Sequence, residues 1–424
     1  MSETPEEASM PGHLSRRAFL GASGATTASA LAGCLTVAPQ SPPERVDEPT
    51  SESESLPERP ATLFRADIER SGYWPEESVP DAVELAWSIP GINKGDHTAA
   101  KSSPLYYDGA VITPGDTGTV HSFDPDGERL WAVSLFPSTR GTHSTPAIVG
   151  DFIFTAGYDG AAYAFDTRTG ETVWRTKVSD AIGSSPVYYD GLVYVATEFY
   201  TPSGGMVALD AATGAIRWED NRMTNHAHSI TGIDTDTRAF AAGCNDGSLY
   251  VWDLDSRNFR GSFETDGAIK GPICMYDGTA IFGSWDGTVY AVDAETLAEV
   301  WRYGADGKVM AGAAVHPASE TLIIGSHDHH IHAMDVTTGE GRWTFDTGGM
   351  VVGSPTVVGD TVLTGSYSDA LFAVDVTSGE QRWSFTQPEG WVTGTPAVHD
   401  GAVYVTERAT DATSGHLYKL VAPA

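Results

Sequence analysis

The chain has 424 residues, 57 acidic against 25 basic, and a formal net charge of −32 with 41% hydrophobic residues. Such a surface repels nucleic acid and anionic lipid, and only six of the basic residues are Lys. Carboxylates at this density are well screened only where salt is abundant, since the Debye length falls to roughly 3 Å at 1 M; the composition reads as a halophile's surface, with a generally acidic, metal-buffering protein as the alternative.

The first segment is not part of a fold. "LSRRAFLGASGATTASALAGC" sets Arg16 and Arg17 before a short apolar run of small residues that ends at Leu31-Ala32-Gly33-Cys34. Twin arginines before such a run mark a Tat-type export signal over residues 1–33, and the run is too short to span a bilayer. Leu-Ala-Gly-Cys resembles a lipobox, in which Cys34 carries the lipid; the end of an ordinary cleaved signal is the other reading. Residues 34–60 are Pro, Ser and Glu with almost nothing to bury, which predicts a disordered tether.

A repeat then takes over. "AFDTRTGETVW" (residues 164–174) recurs as "ALDAATGAIRW", "AVDAETLAEVW", "AMDVTTGEGRW" and "AVDVTSGEQRW", at a period of about forty to forty-six residues, the length of one four-stranded propeller blade. Each unit opens on Ser/Thr-Pro and an apolar strand, turns at Gly/Asp, and runs a second and third strand through a turn of the "WDG" or "YDG" kind. The Asp accepts backbone N–H groups, Thr-Gly makes the next turn, and the Trp reaches the neighbouring blade. Eight strand-one openings are present, at Ser102-Ser103-Pro104, Ser144-Thr145-Pro146, Ser184-Ser185-Pro186, Thr231-Gly232, Gly271-Pro272, Gly312-Ala313, Gly353-Ser354-Pro355 and Gly394-Thr395-Pro396. The Trp positions are Trp87, Trp131, Trp174, Trp218, Trp301, Trp343 and Trp383, with Gly261 where the fourth unit's Trp is due. The last unit lacks a fourth strand, and "AVELAWSI" ahead of the first unit supplies it, which removes the exposed edges of an open stack. The expectation is an all-β, eight-bladed propeller of four-stranded antiparallel blades over residues 61–424, closed by pairing of the N-terminal strand with the C-terminal blade.

Charged side chains sort by face. The loop from strand four to the next strand one shares a face with the turn between strands two and three. Lys94, Lys101, Lys270 and Lys308 fall there, as do Arg140, His97, His143, His226 and His228. Lys101, Arg140, His143, His228, Lys270, Lys308 and Trp391 form the candidate ligand-binding set, an electropositive funnel mouth suited to an anionic ligand or acidic peptide. Pairing of each cation with a local Asp such as Asp96, Asp180, Asp266 or Asp306 is the competing reading. In "SHDHHIHAMD", His327, His329 and His330 replace the usual turn beside Asp328 and His332. These are weak metal candidates without an identifiable third ligand, and a solvated His-rich turn is the expected state. "WPEESVP", "MTNHAHS" and "TEFYTPSGG" interrupt the pattern; the last lengthens the third blade's hairpin as a contact loop or neutral insertion. Cys244 and Cys274 sit in apolar strand-like runs outside any CxxC and read as buried inert thiols. No nucleophile elbow, phosphate-cradling loop or carboxylate pair at diagnostic spacing is found.

The repeated Asp-x-x-Thr-Gly-x-x-x-Trp phrase, and "LFRADIERSGYWP" ahead of the first strand, resemble the pyrroloquinoline-quinone (PQQ) repeat propellers. The resemblance spans everything after the tether. That family contains quinone-dependent alcohol and sugar dehydrogenases, and also non-enzymatic relatives such as the lipoprotein of the outer-membrane assembly machine, an eight-bladed scaffold on a lipid anchor. In size and anchoring this chain is similar to the second group. The alcohol-oxidising members carry an adjacent Cys-Cys pair and insertions that bring calcium ligands, an Asn, a Glu and a catalytic Asp, over the funnel; here there is no Cys-Cys and no set of matching positions. A halophilic archaeon, for its part, has no outer membrane to assemble. The resemblance therefore implies a non-enzymatic, extracytoplasmic, lipid-anchored propeller that binds a protein or peptide partner, with no cofactor expected and no catalytic residue named. The alternatives are a PQQ and Ca²⁺-dependent oxidoreductase and a protein that binds a small anionic ligand.

Overall fold

The computed structural model describes residues 61–94, 102–135, 141–410 and 414–424. Arg16, Arg17, Cys34, the tether, His97, Lys101 and Arg140 lie outside the described residues. The described residues form eight antiparallel sheets, each with four strands of one blade, and two of them take up one short extra strand. Blades 1 to 7 cover residues 105–134, 147–177, 187–223, 232–264, 274–304, 314–346 and 356–385. Blade 8 has three strands of its own, Ala397–His399, Ala402–Thr406 and Gly415–Val421, and takes Glu84–Asn93 as its outer strand. The pairing runs from Glu84 opposite Val421 to Asn93 opposite Gly415, so the ring closes as the sequence implies.

The repeated phrase works as a two-sided dock. In the turn before the outer strand, Asp335 Oδ1 accepts the Thr337 and Thr338 N–H groups and the Thr337 hydroxyl; Asp293 and Asp375 serve their turns in the same way. The Trp of the preceding blade then lies on that turn and donates its indole N–H to the carbonyl just after the Asp. Trp131 reaches Thr167 at 3.1 Å, Trp174 reaches Ala211 at 2.9 Å, Trp301 reaches Val336 at 3.0 Å and Trp343 reaches Val376 at 3.0 Å. The turn glycine is required twice over: Gly339 has φ +72°, and a Cβ there would stand 2.6 Å from the Trp301 ring. Trp87 docks on Pro125 of blade 1 and Trp383 on Pro80 ahead of the closing strand, which carries the same contact around the seam.

One junction is built differently. Where blade 4 has Gly261, blade 5 has Leu297 in place of the turn glycine, held at φ 60°. A Cβ on Gly261 would come within 2.3 Å of the Leu297 Cδ1. The leucine side chain thus occupies the space that an indole fills elsewhere, and the two exceptions to the repeat are one packing solution.

The segment ahead of the closing strand does something the repeat does not announce. Ala61–Thr62 pairs with the inner strand of blade 2, and Tyr73–Trp74 pairs in parallel with that of blade 7. Between them, the carbonyls of Ile68, Glu69, Ser71 and Gly72 accept N–H groups from Ile233, Met275, Val315 and Val357, one in each of blades 4 to 7. Arg65 and Arg70 are 2% and 0% exposed. Arg70 donates to the carbonyls of Thr231, Phe64 and Pro186 at 3.0, 2.6 and 2.9 Å, and Arg65 to those of Arg70, Pro355 and Ala313. Burial pulls both guanidiniums down, Arg65 to about 10 and Arg70 to about 9, so both stay charged at neutral pH and are held by carbonyl dipoles from blades 3, 4, 6 and 7. This arginine-centred strap ties the inner ring together.

Candidate functional site

The inner strands open on the Ser/Thr-Pro steps, and their hydroxyls join blade to blade. The Ser103 N–H donates to Thr145 Oγ1 at 2.9 Å, Thr145 N–H to Ser185 Oγ at 2.9 Å, Gly312 N–H to Ser354 Oγ at 2.8 Å and Thr395 N–H to Ser103 Oγ at 2.9 Å. A hydroxyl can both accept here and donate onward, whereas the proline beside it has no N–H to satisfy. Within this belt lies a central cavity of about 50 Å³, bounded by Phe64 of the strap and by His143, Gly183, His228, Lys270, Met310 and Thr393 among others. That volume holds a few waters.

Of the funnel-face candidates, His143, His228 and Lys270 come together around this cavity. Lys308 stands beside them: the Lys270 and Lys308 ammonium nitrogens lie 3.5 and 4.2 Å from the centroid of the Trp285 ring. Both distances are within cation–π range. Trp285 belongs to a "WDG" turn and reads in sequence as no more than a turn residue. Trp391 is stacked on Tyr367 at 4.1 Å, with the Arg408 guanidinium 4.8 Å from its centroid. The funnel face thus carries two cation–indole groups.

A third group joins two interruptions of the repeat. The second-strand hairpin of blade 3 is lengthened, Leu192–Phe199 against Ser203–Asp210, and brings Glu198 to the channel edge, 4% exposed. The segment after blade 3 brings His226 and His228. His228 Nδ1 lies 3.1 Å from Glu198 Oε1, and His226 Nδ1 lies 3.9 Å from Glu198 Oε2. Glu198 Oε1 also accepts the Gly183 N–H at 3.0 Å. A Cβ on Gly183 would stand 2.6 Å from His228 Nδ1, 2.8 Å from Glu198 Oε1 and 3.0 Å from the Tyr158 hydroxyl, which itself meets His143 Nδ1 at 2.9 Å. His226 and His228 were visible in sequence as funnel-face histidines; Glu198, on the second strand of blade 3, carried no signal except the broken repeat around it.

The His-rich turn of blade 6 is organised otherwise. In blades 2, 4 and 5 a third-strand tyrosine donates to the turn aspartate: Tyr163 to Asp159 at 2.6 Å, Tyr250 to Asp246 at 2.9 Å and Tyr290 to Asp286 at 3.0 Å. His332 holds the corresponding place in blade 6, with Nε2 2.9 Å from Asp328 Oδ2 and Nδ1 3.1 Å from the Tyr303 hydroxyl. Burial pulls its imidazole below the usual histidine range. His330 Nδ1 meets the Asp328 carbonyl at 2.9 Å, and His329 takes the left-handed turn position at φ 76°. His327, His329 and His330 therefore do not converge. Among the described residues, the group whose ligand atoms all lie within 4.8 Å of one another is Glu198, His226 and His228.

Fit to PQQ with Ca²⁺ can be judged from the donors. Calcium takes six to eight oxygen ligands. Of the two buried funnel-face glutamates, Glu407 is filled by the Glu389 and Gly390 N–H groups at 2.9 Å each and by His416 Nδ1 at 2.5 Å; Glu198 faces two imidazoles. Asp116 Oδ1, buried in the corresponding turn of blade 1, accepts the Lys94 N–H at 2.7 Å, and among the described residues these three carboxylates do not gather at one point, so the set does not match calcium. Cys244 and Cys274 are both buried and free, and burial pushes each thiol up to about 12.

Comparison with known proteins follows the repeat. A family model described as outer membrane protein assembly factor BamB matches residues 116–262 and 285–418. The BamB protein of Yersinia pestis is 26% identical over 248 residues, 53% of this chain and 58% of that protein. The quinohemoprotein alcohol dehydrogenase of Comamonas testosteroni is 30% identical over 112 residues, 24% of this chain and 15% of that protein; its crystal structure superposes with a TM-score of 0.69 at 14% identity, over 85% of this chain and 80% of that one. The crystal structure of BamB from Moraxella catarrhalis gives a TM-score of 0.60 at 16% identity, over 80% of this chain and 98% of that one. The chain thus spans less than two thirds of the length of these two curated relatives, and the structural likenesses speak to fold alone.

Proposed function

The chain belongs to the family of outer membrane protein assembly factor BamB, and from that premise we propose a non-enzymatic scaffold that receives an acidic segment of a protein partner on its funnel face. The observation that carries this reading is the seating of Lys270 and Lys308 on the Trp285 ring beside the channel, on a body of net charge −32. An indole that steadies two ammonium groups concentrates positive potential at one place on a surface that otherwise repels anions. A carboxylate-bearing segment is what such a mouth attracts, and the Trp391–Tyr367 stack, on the same face two blades further round, offers flat apolar area to a chain lying across it. Export through Arg16 and Arg17 and a lipid on Cys34 would hold the scaffold at the outer face of the cell membrane.

A photo-crosslinking residue placed in the native host at Asp306, on the funnel face, and separately at Glu380, on the opposite face, tests the reading. Adducts to a protein are expected from position 306, and they disappear when Lys270 and Lys308 are both changed to Gln. Adducts from neither position, or equally from both, overturn it. The second reading, a PQQ-dependent dehydrogenase, is supported by the 30% identity over 112 residues to the Comamonas enzyme. A stoichiometric quinone released on denaturing protein from its own host, with reduction of an artificial electron acceptor by an alcohol or an aldose, would replace the scaffold.

A further inference from the structure

We infer that Glu198, His226 and His228 form a binding site for a first-row transition-metal ion of the Zn²⁺ class at the edge of the channel. The chemistry begins with a tautomer. His226 Nε2 lies 3.0 Å from the Phe199 carbonyl oxygen, and a carbonyl can only accept, so Nε2 carries the proton. In the neutral ring the Nδ1 lone pair then points the other way, and Nδ1 lies 3.9 Å from Glu198 Oε2. A lone pair facing a carboxylate oxygen asks for a positive charge between them. A histidine whose far nitrogen is fixed by a carbonyl is also the usual outer-sphere arrangement of a metal-ligating imidazole.

The remaining geometry agrees. His228 adds a second imidazole nitrogen: at 3.1 Å from the other oxygen of the same carboxylate Nδ1 is placed as a donor to Glu198, and an ion would take the place of that proton; the three ligand atoms already lie within 4.8 Å of one another. Bonds of about 2.0–2.2 Å to such an ion bring neighbouring ligand atoms to about 3.3 Å. Rotation of the two half-buried rings supplies the difference, while Glu198 is held by the Gly183 N–H and by main-chain pairing of Glu198 with Ala181. Gly183 leaves the floor of the site bare, because a Cβ there would strike both His228 and Glu198. Two nitrogens and one oxygen favour Zn²⁺, Co²⁺ or Ni²⁺ over Ca²⁺ or Mg²⁺. His228 lines the central cavity, so a fourth coordination position opens toward the channel. There it would meet a carboxylate or water beside Lys270. The inference is independent of whether the funnel holds a protein segment or a quinone.

The test uses the full chain without a polyhistidine tag, stripped of metal and titrated with Co²⁺ alone. One equivalent should bind with the visible absorption of a four- or five-coordinate ion, Zn²⁺ should displace it, and excess Ca²⁺ should not. Glu198→Gln, His226→Ala and His228→Ala should each weaken Co²⁺ binding at least tenfold, and His330→Ala should leave it unchanged. Absence of stoichiometric uptake, displacement by Ca²⁺, or unaltered affinity in the three variants overturns the site. Should the variants fail to fold by near-ultraviolet circular dichroism, zinc-edge X-ray absorption of the wild-type chain decides: two imidazoles in the ligand shell uphold the assignment, and fewer than two refute it.

Discussion

Glu69 and Arg70 are neighbours in the strap and bear opposite consequences of burial. Arg70 gives its guanidinium three carbonyls, so its charge is met by dipoles; an unpaired buried charge would cost far more. For Glu69, burial first, and then Asp67, Asp234 and Asp236, raise the carboxyl to about 7 from an ordinary 4.5. The native state therefore holds a proton that the unfolded chain releases between those values, and stability falls as pH climbs from 4.5 through 7. Glu69→Gln should leave urea stability unchanged at pH 4 and raise it at pH 8; the same difference at both values would mean that the carboxyl is not strained by its site. Little of this was legible in the sequence. "LFRADIERSGYWP" carried a family resemblance, but nothing in its spacing says that two arginines will be buried among main-chain carbonyls, because the partners belong to four blades distant in the chain. Glu198 escaped for the same reason: its companions come from the far side of a blade boundary.

The blade as an element is where sequence and structure agree most closely, since every part of it is local: the turns are set by Asp, Thr and Gly within a few residues, and the alternation fixes the strands. Even the exception at Gly261 was visible. Its compensation was not, because Leu297 falls in the next blade and reads there only as a turn lacking its glycine. The pair makes a closed cycle of substitutions. Gly261→Trp alone drives an indole into Leu297 and puts a side chain on a backbone held at φ 154°, so it should cost at least the roughly 1–3 kcal/mol of overpacking. Leu297→Gly alone relieves a left-handed backbone but empties the space beside Gly261. Together they rebuild the contact made by Trp301 on Gly339, and the double variant should recover at least about 1 kcal/mol relative to the sum of the single changes. Denaturant unfolding of all four proteins measures the coupling; simple additivity would show that the two positions do not share one space.

At the scale of the whole molecule, the net charge and the closed ring pull in opposite directions. The ring is tied at three levels: indoles on turns at the outer edge, the seam of Glu84–Asn93 with Gly415–Val421, and the strap at the centre. None of these depends on counterions. The net charge of −32 repels itself in the compact state and is relieved as the chain expands. Many of the basic residues are already committed to local pairs, such as Arg342 with Asp335 and Arg382 with Asp375, leaving most carboxylates to be screened by solution ions alone. Thermal unfolding should therefore shift upward by many degrees between 0.1 M and about 2 M salt, where the screening length drops from about 10 Å to below about 3 Å, and NaCl and KCl should act alike because screening depends on ionic strength. A midpoint that does not move would mean that the packing of the ring outweighs its charge. A rise confined to sulfate and absent with chloride would trace the stabilisation to exclusion of the salt from the protein surface.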